Sequence, residues 1–522
     1  MPKKHFQITR RDLVRFALAT VGGLLSSLAF PREGIWPLIF VSVALLTLAV
    51  RGLSFARALF FGFVGGLAFY LSQIEWLSLY LGPVPWLALS IMEAAIFAFG
   101  MACIALVLHK LEAHKNSATR QLSIAVVIAI IFTAREWVSI SIPYGGFPWS
   151  RLAQSQSDSL LANWVYWGGL GSLSFVVAFI SVLCLVVVIE WRKSSNLQRS
   201  IALIAVATAF AIPVLTSPPT KVEIGTLRVG AVQGNANAGL FANPDRGSIL
   251  RNHLEATKQI SNQIAQHKVD VVVWPENASD LSPFIDAQAA DTIRNEVDHV
   301  LGVPLIFGTI TSRGEDIYNS SILWKPNKGP VDWYDKKRPV PFAEYVPDRD
   351  FWYQLAPDLV GLISRGYTFG TRDGIFLLDK EKLGVLICFE IAIDDIGRDL
   401  VHEGAQVIIS QTNNADFGHS DETFQQVAFA KLRAIETGRA VVNISTVGKS
   451  VIYSPDGTVL KELPTFEPGA MVSTVPLRNS LTPAMVVGQY FDLCVNLLAL
   501  FFIMQAILTG ARKRSLLRGD NR

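Results

Sequence analysis

Long apolar stretches constrain this chain more than any other feature. They fall at about residues 13–30, 34–50, 57–81, 84–109, 122–142, 164–190, 200–216 and 484–510. Each is close to the roughly 20 residues an α-helix needs to cross a bilayer core, so the expectation is a helical membrane domain with about eight spans. A cleaved leader competes for the first stretch, because Lys3, Lys4, Arg10 and Arg11 precede it. The further spans favour a first transmembrane helix. A composition of 51% hydrophobic and 17% charged residues over 522 positions excludes an ordinary soluble protein.

Loop charges orient the expected spans. Arg51 and Arg57, then Lys110, His114, Lys115 and Arg120, then Arg192, Lys193 and Arg199 fall in alternate loops on the side of the N-terminus. Arg512, Lys513, Arg514 and Arg518 fall there too. The positive-inside rule makes that side the cytoplasm, so the segment 217–482 is expected outside. The predicted organisation is a membrane domain at 1–216, an extracytoplasmic domain at 217–482, and a last helix with a basic cytoplasmic tail at 483–522. A net charge of +3 is small for this length and gives no reason to expect a nucleic-acid partner.

The 217–482 segment reads differently. Strand-like runs at 227–233, 269–274, 304–311, 383–388, 405–410 and 440–444 alternate with helical spacing, as in Ile249, Leu250, Leu254, Ile260 and Ile264, and again in Phe424, Val427, Ala428, Leu432 and Ile435. That alternation predicts a layered α/β domain. Three of the four cysteines, Cys103, Cys184 and Cys494, lie in predicted spans, which leaves Cys388 alone outside. It has no disulfide partner in its domain, and no Cys/His spacing of a zinc site is present. No cofactor or metal is expected. A lone thiol in an oxidising compartment favours a reactive role over a structural one.

Cys388 ends a buried-strand pattern and is followed by Phe389 and Glu390, then by a helical pattern opening on Asp394 and Asp395. Two other stretches supply what a nucleophile needs. Glu276 follows a second strand pattern and is flanked by Trp274 and Pro275, so its carboxyl could be desolvated enough to act as a general base. The 334–344 stretch offers a basic cluster beside Glu344, and a lysine held there is a fixed charge suited to a tetrahedral oxyanion.

Together, Glu276 in Trp-Pro-Glu, Lys336 in Tyr-x-Lys and Cys388 in Cys-Phe-Glu resemble the Glu-Lys-Cys triad of the nitrilase, or carbon-nitrogen hydrolase, superfamily. Within it, the Pro-Phe-Ala-Glu-Tyr-Val-Pro run at 341–347, the flanking spans, and Gly146-Phe147-Pro148-Trp149 with Ser155-Gln156 resemble the bacterial apolipoprotein N-acyltransferases. The resemblance implies an αββα nitrilase-like sandwich joined to the spans in the plasma membrane. It implies transfer of an acyl chain from a phospholipid donor to the α-amino group of a diacylglyceryl apolipoprotein. Glu276 would be the base, Cys388 the thioester-forming nucleophile and Lys336 the oxyanion partner. Glu344 and Glu390 would hold Lys336 and the loops. Three departures bear on substrate preference: Ala343 for a common glycine, Asp416 where many members carry tryptophan, and Phe389 for a frequent tyrosine. Gly448-Lys449-Ser450 ends like a phosphate-binding loop but lacks its first glycine and reads as strand.

A membrane-tethered amidase and a transporter or scaffold with a degenerate domain stay open as alternatives. Glu75, Glu93, Arg135 and Glu136 all read as charges inside spans. The 344–370 stretch, with Phe351 and Trp352, is apolar enough to be an arm that meets the bilayer and gates lipid entry.

Overall fold

The computed structural model describes residues 9–239, 242–243, 245–363 and 365–519; Lys3 and Lys4 lie outside the described residues. The chain divides into two units. One comprises Met1–Glu75, Pro83–Thr216 and Val487–Arg522, the other Trp76–Gly82 with Ser217–Val486.

Among the described residues, seven helices are long and apolar enough to cross a membrane: Arg10–Ala29, Phe55–Gln73, Pro83–Leu111, Ala118–Ser139, Trp164–Ile189, Asn196–Leu215 and Pro483–Thr509. Side-chain caps fix three of their starts, with Ser117 accepting from the Arg120 amide at 3.1 Å before Ala118–Ser139. Thr9 with Asp12, and Ser195 with Gln198, form reciprocal capping boxes. The stretch expected at 34–50 becomes the helix Leu38–Val50, 13 residues long, because Gly34 turns the chain at φ +62° and Pro37 stands at the cap. The stretch expected at 57–81 ends as a helix at Gln73. Glu75 therefore lies beyond that helix and is exposed, not inside a span. Glu93, Arg135 and Glu136 are buried in the first unit. Ser139 Oγ donates to Glu93 at 2.5 Å, Arg135 donates to the Tyr70 hydroxyl at 3.1 Å, and the Leu152 amide donates to Glu136 at 2.8 Å. Each side chain meets at least one hydrogen-bond partner within the protein, which offsets part of the cost of its burial.

The second unit is built on twelve strands: β1 (Gly225–Gln233), β2 (Val271–Val273), β3 (Leu305–Arg313), β4 (Asp316–Lys325), β5 (Gly329–Asp335), β6 (Ile375–Leu378), β7 (Glu381–Ile387), β8 (Val407–Thr412), β9 (Val441–Ser445), β10 (Val451–Tyr453), β11 (Val459–Glu462) and β12 (Gly469–Leu477). They form two six-stranded sheets, ordered β12-β1-β2-β3-β4-β5 and β11-β10-β9-β8-β7-β6. In each sheet three central strands run parallel, β1-β2-β3 and β9-β8-β7, and the flanking strands pair antiparallel.

Alternation along the strands sorts two cores. Val229, Ala231, Val271 and Val273 of the first sheet pack against Val385, Ile387, Val407, Ile409 and Val442 of the second. The opposite faces of β2 and β3 carry Val272, Trp274, Leu305 and Phe307 against Leu250, Ala256, Ile260 and Ile293 of flanking helices. On the second sheet, Gly384 leaves room for Leu400 of the helix Asp394–His402. The result is an αββα sandwich. Gly448-Lys449-Ser450 forms the loop between β9 and β10, not strand, and Lys449 pairs with Glu462 at 2.7 Å.

Candidate active site

Chemistry gathers where the parallel strands end, the usual place for a site in such sheets. Val273 closes β2, and Trp274-Pro275 carries the chain to Glu276. A Cβ on Gly308 would come within 2.6 Å of the Glu276 Cα, so only glycine lets β3 pass this close. The Gly308 amide donates to the Pro275 carbonyl at 3.0 Å and locks the turn. On the other sheet β7 stops at Ile387, and Cys388 turns at φ +55° into a short 3-10 segment, Cys388–Ala392. A non-glycine residue in the left-handed region costs about 1–3 kcal/mol, so its neighbours must hold it.

Glu390 does so. It is fully buried, and its Oε2 accepts from the Ile387 amide at 2.9 Å. Its Oε1 accepts from the Tyr334 hydroxyl at 2.8 Å and from the amides of Lys337 and Arg338 at 2.7 and 3.1 Å. One carboxylate thus ties the cysteine turn to the loop that carries Lys336. Phe389 is half-buried on the same turn.

Lys336 follows β5, and its amide donates to the Asn319 carbonyl of β4 at 2.8 Å. Its Nζ lies 2.8 and 2.9 Å from the two oxygens of Glu344 and 3.5 Å from Glu276. Lys337 points elsewhere and pairs with Asp373 at 2.5 Å. The Asn319 side-chain nitrogen donates to Glu276 at 2.7 Å and to Glu344 at 3.0 Å, fixing both carboxylates around one ammonium.

The electrostatics follow from two carboxylates facing one cation in a buried space. Burial raises the Glu276 pKa; the Lys336 charge opposes this and Glu344 reinforces it. Burial alone would lower Lys336, but Glu344 and Glu276 reverse the direction and keep it an ammonium. Burial pushes the Cys388 thiol well up, and the negative charge of Glu276 adds to the effect. These shifts favour a neutral thiol on Cys388 over a preformed thiolate, with the Glu276 carboxyl beside it.

Sequence comparison now bears on this geometry. The model of the apolipoprotein N-acyltransferase N-terminal domain matches residues 22–183, and the carbon-nitrogen hydrolase model matches residues 228–481. The apolipoprotein N-acyltransferase of Mycolicibacterium smegmatis is 30% identical over 94% of this chain and 85% of its own. The chain belongs to the apolipoprotein N-acyltransferase family. The Photobacterium profundum apolipoprotein N-acyltransferase is 25% identical over 94% of both chains. A solved amidase of the nitrilase superfamily from Nesterenkonia AN1 is 17% identical, with a TM-score of 0.37 over 51% of this chain and 95% of its own, too distant to add weight.

Within this family member, the fold brings Glu276, Lys336, Cys388, Glu344 and Glu390 to one place. Phe351 and Trp352 stand instead on the short helix Arg349–Leu355, where the Trp352 ring meets Phe342 edge-on at 5.3 Å. Asp416 lies in the turn Ala415–Phe417, where burial raises its pKa. Several site residues carried no motif. Asn319 sits mid-strand, and its only signal is an Asn-Ser-Ser run inside an otherwise buried β4. Gln426, on the helix Glu422–Thr437, donates to Cys388 Sγ at 3.4 Å. Tyr80 packs on Phe417 with ring centres 5.5 Å apart; burial raises its pKa, with the charges of Asp416 and Glu344 adding to it. Trp76 donates to Gln425 at 3.0 Å and meets the same Phe417 ring at 5.1 Å.

Proposed function

We propose that this chain transfers a fatty acyl group from a phospholipid to the α-amino group of the S-diacylglyceryl cysteine of apolipoproteins, through a thioester on Cys388. The observation that carries the reading is the convergence of Glu276, Lys336 and Cys388 in a buried cluster, within a chain that a curated relative matches over 94% of its length.

In the first step Glu276 takes the thiol proton as Sγ bonds to the ester carbonyl carbon, and the negative charge that develops on oxygen faces the Lys336 ammonium. The ester C–O bond then breaks, the leaving alkoxide takes the proton back from Glu276, and a lysophospholipid departs. In the second step the acceptor amine attacks the thioester, its surplus proton passes to Glu276, the S–C bond breaks, and the proton returns from Glu276 to Sγ to restore the thiol. One pocket serves donor and acceptor in turn, so the kinetics are ping-pong.

The domain reading of 1–216, 217–482 and 483–522, with the catalytic segment on the extracytoplasmic side of a bacterial plasma membrane, is supported by the alternating basic loops. The arm carrying Phe351 and Trp352 serves as the lipid entrance; Phe351, Tyr353, Leu355 and Leu362 expose more than half their surface.

The test is incubation of the full chain with labelled phospholipid alone, then with a diacylglyceryl peptide bearing a free amine. The expected result is label on Cys388 with little free fatty acid, discharged onto the peptide. Cys388→Ala abolishes labelling, and Lys336→Ala slows both steps by about 10²–10³. Rapid release of fatty acid to water, without preference for the amine, overturns transfer in favour of hydrolysis. External labelling of a cysteine at 115 but not at 462 overturns the orientation.

A further inference from the structure

The mechanism leaves the sulfur's own charge without a donor. Glu276 receives the thiol proton and Lys336 serves the oxyanion, yet Sγ must be negative just before the thioester forms and again as it breaks.

A buried chain of polar groups ends on that sulfur. It starts at a backbone donor, the Gly448 amide, which gives its hydrogen to Ser445 Oγ at 2.9 Å. Ser445 Oγ donates to Asn414 Oδ1 at 2.6 Å. The Asn414 Nδ2 donates to Glu422 at 2.6 Å and to Gln426 Oε1 at 2.8 Å. Gln426 Nε2 then donates to Cys388 Sγ at 3.4 Å. The Gly448 N–H occupies one lone pair of Ser445 Oγ while the Ser445 hydroxyl points its hydrogen at Asn414 Oδ1, and in this arrangement the carboxamide of Gln426 presents its nitrogen to the sulfur. The side chains of Ser445, Asn414, Glu422 and Gln426 are all at most 2% exposed. Gly448 is required here, since a Cβ would come within 2.2 Å of Asn414 Oδ1.

We infer that Gln426 is a further catalytic residue, whose Nε2–H donates to Cys388 Sγ and stabilises the negative sulfur both as nucleophile and as leaving group. The acyl-transfer reading above supplies the identity of these two steps. Gln426 gives up no proton. In the first step the S–H proton goes to Glu276 as the S–C bond forms; in the second the electron pair of the breaking S–C bond returns to the sulfur against the same N–H. Hydrogen bonds to charged groups are worth more than neutral ones, which sets the size of the effect.

The test uses the full chain with Cys103, Cys184 and Cys494 replaced by Ala, so that iodoacetamide reports only on Cys388. Alkylation is followed across pH in this background and in Gln426→Met and Gln426→Glu. The charged groups acting on the thiol, Glu276, Lys336, Glu422 and Glu344, remain in both. The expected result is a midpoint moved to higher pH in Gln426→Met, and further in Gln426→Glu, which keeps the acceptor for Asn414 but turns a carboxylate oxygen to the sulfur. Thioester formation from phospholipid falls about 10–100-fold. An unchanged midpoint overturns the proposal even where acylation falls, as does a shifted midpoint with unchanged acylation. If Gln426→Met does not fold, Gln426→Glu decides alone. If the parent never acylates, the transfer reading fails, and alkylation still reads whether Gln426 serves the sulfur.

Discussion

Lys336 is bound to Glu344 by both carboxylate oxygens, at 2.8 and 2.9 Å, while Glu276 stands off at 3.5 Å. The unequal sharing matters because a carboxylate fully paired with an ammonium is a poor base. Burial raises the Glu276 pKa, and Glu344, by holding Lys336 more closely, limits how far the cation lowers it again. In Glu344→Gln, Lys336 turns to Glu276 and the base weakens. Single-turnover thioester formation is expected to slow by about 10², with the acid limb of its pH profile moving to lower pH. A limb that stays or moves up refutes this division of labour.

Glu422 gives a pH dependence of stability whose sign can be worked out. Burial raises its pKa from 4.5 to about 8 in the folded state, with the charge of Glu276 adding to the shift. The unfolded chain therefore loses this proton first, and the stability that the group confers at low pH falls away between about 4.5 and 8. Glu422→Gln should flatten that part of the curve and raise the urea midpoint relative to wild type at pH 8. Midpoints that fall in parallel from pH 5 to pH 8 in both proteins would remove the claim.

Glu390 holds the strained cysteine turn through four accepted hydrogen bonds. A glutamine there offers an NH₂ where an acceptor is needed and sets it against a donor. The expected loss is about 2–4 kcal/mol of stability, from a buried donor left unpaired in place of a charge-assisted bond. Thermal unfolding of Glu390→Gln at wild-type temperature would contradict it.

On the proposed reading the arm serves lipid access and not the chemistry. Replacing Phe351 with Asn and Trp352 with Gln should lower acylation from phospholipid vesicles roughly tenfold, the equivalent of about 1.4 kcal/mol. Acylation from a short soluble ester should be unaffected. Equal loss on both donors would make the arm a structural element of the site.

How far the sequence could be read depended on surroundings. The strands it revealed, at 227–233, 269–274, 304–311, 383–388, 405–410 and 440–444, correspond to β1, β2, β3, β7, β8 and β9. These are the parallel strands, covered on both faces and hence continuously apolar. The flanking antiparallel strands escaped notice because one face or one end is polar. β11 reads Val-Leu-Lys-Glu and is mostly exposed, and β4 carries Asn319, Ser320 and Ser321 in its middle. The same difference governs the site. Residues at strand ends within short motifs stood out, whereas Asn319 and Gln426 reach the site from the interiors of regular elements, where a polar residue looks like an interruption of the pattern. Trp76 to Leu81 was read as the end of a span because apolar burial against protein and against lipid leave the same hydropathy.

That segment has a consequence for inheritance. Trp76–Gly82 is encoded between two membrane helices yet belongs to the catalytic unit, where Trp76 and Tyr80 both lie on Phe417, next to the turn that carries Asp416. A gene fragment spanning 217–482 would carry Glu276, Lys336 and Cys388 but lack these two rings. The unit is thus assembled from non-contiguous coding sequence, and recombination that exchanges one membrane half for another must bring a matching Trp76–Gly82 or leave a breach at Phe417. Such a junction couples the two halves in descent: a substitution at Gln425 calls for a compatible change at Trp76, 349 codons upstream.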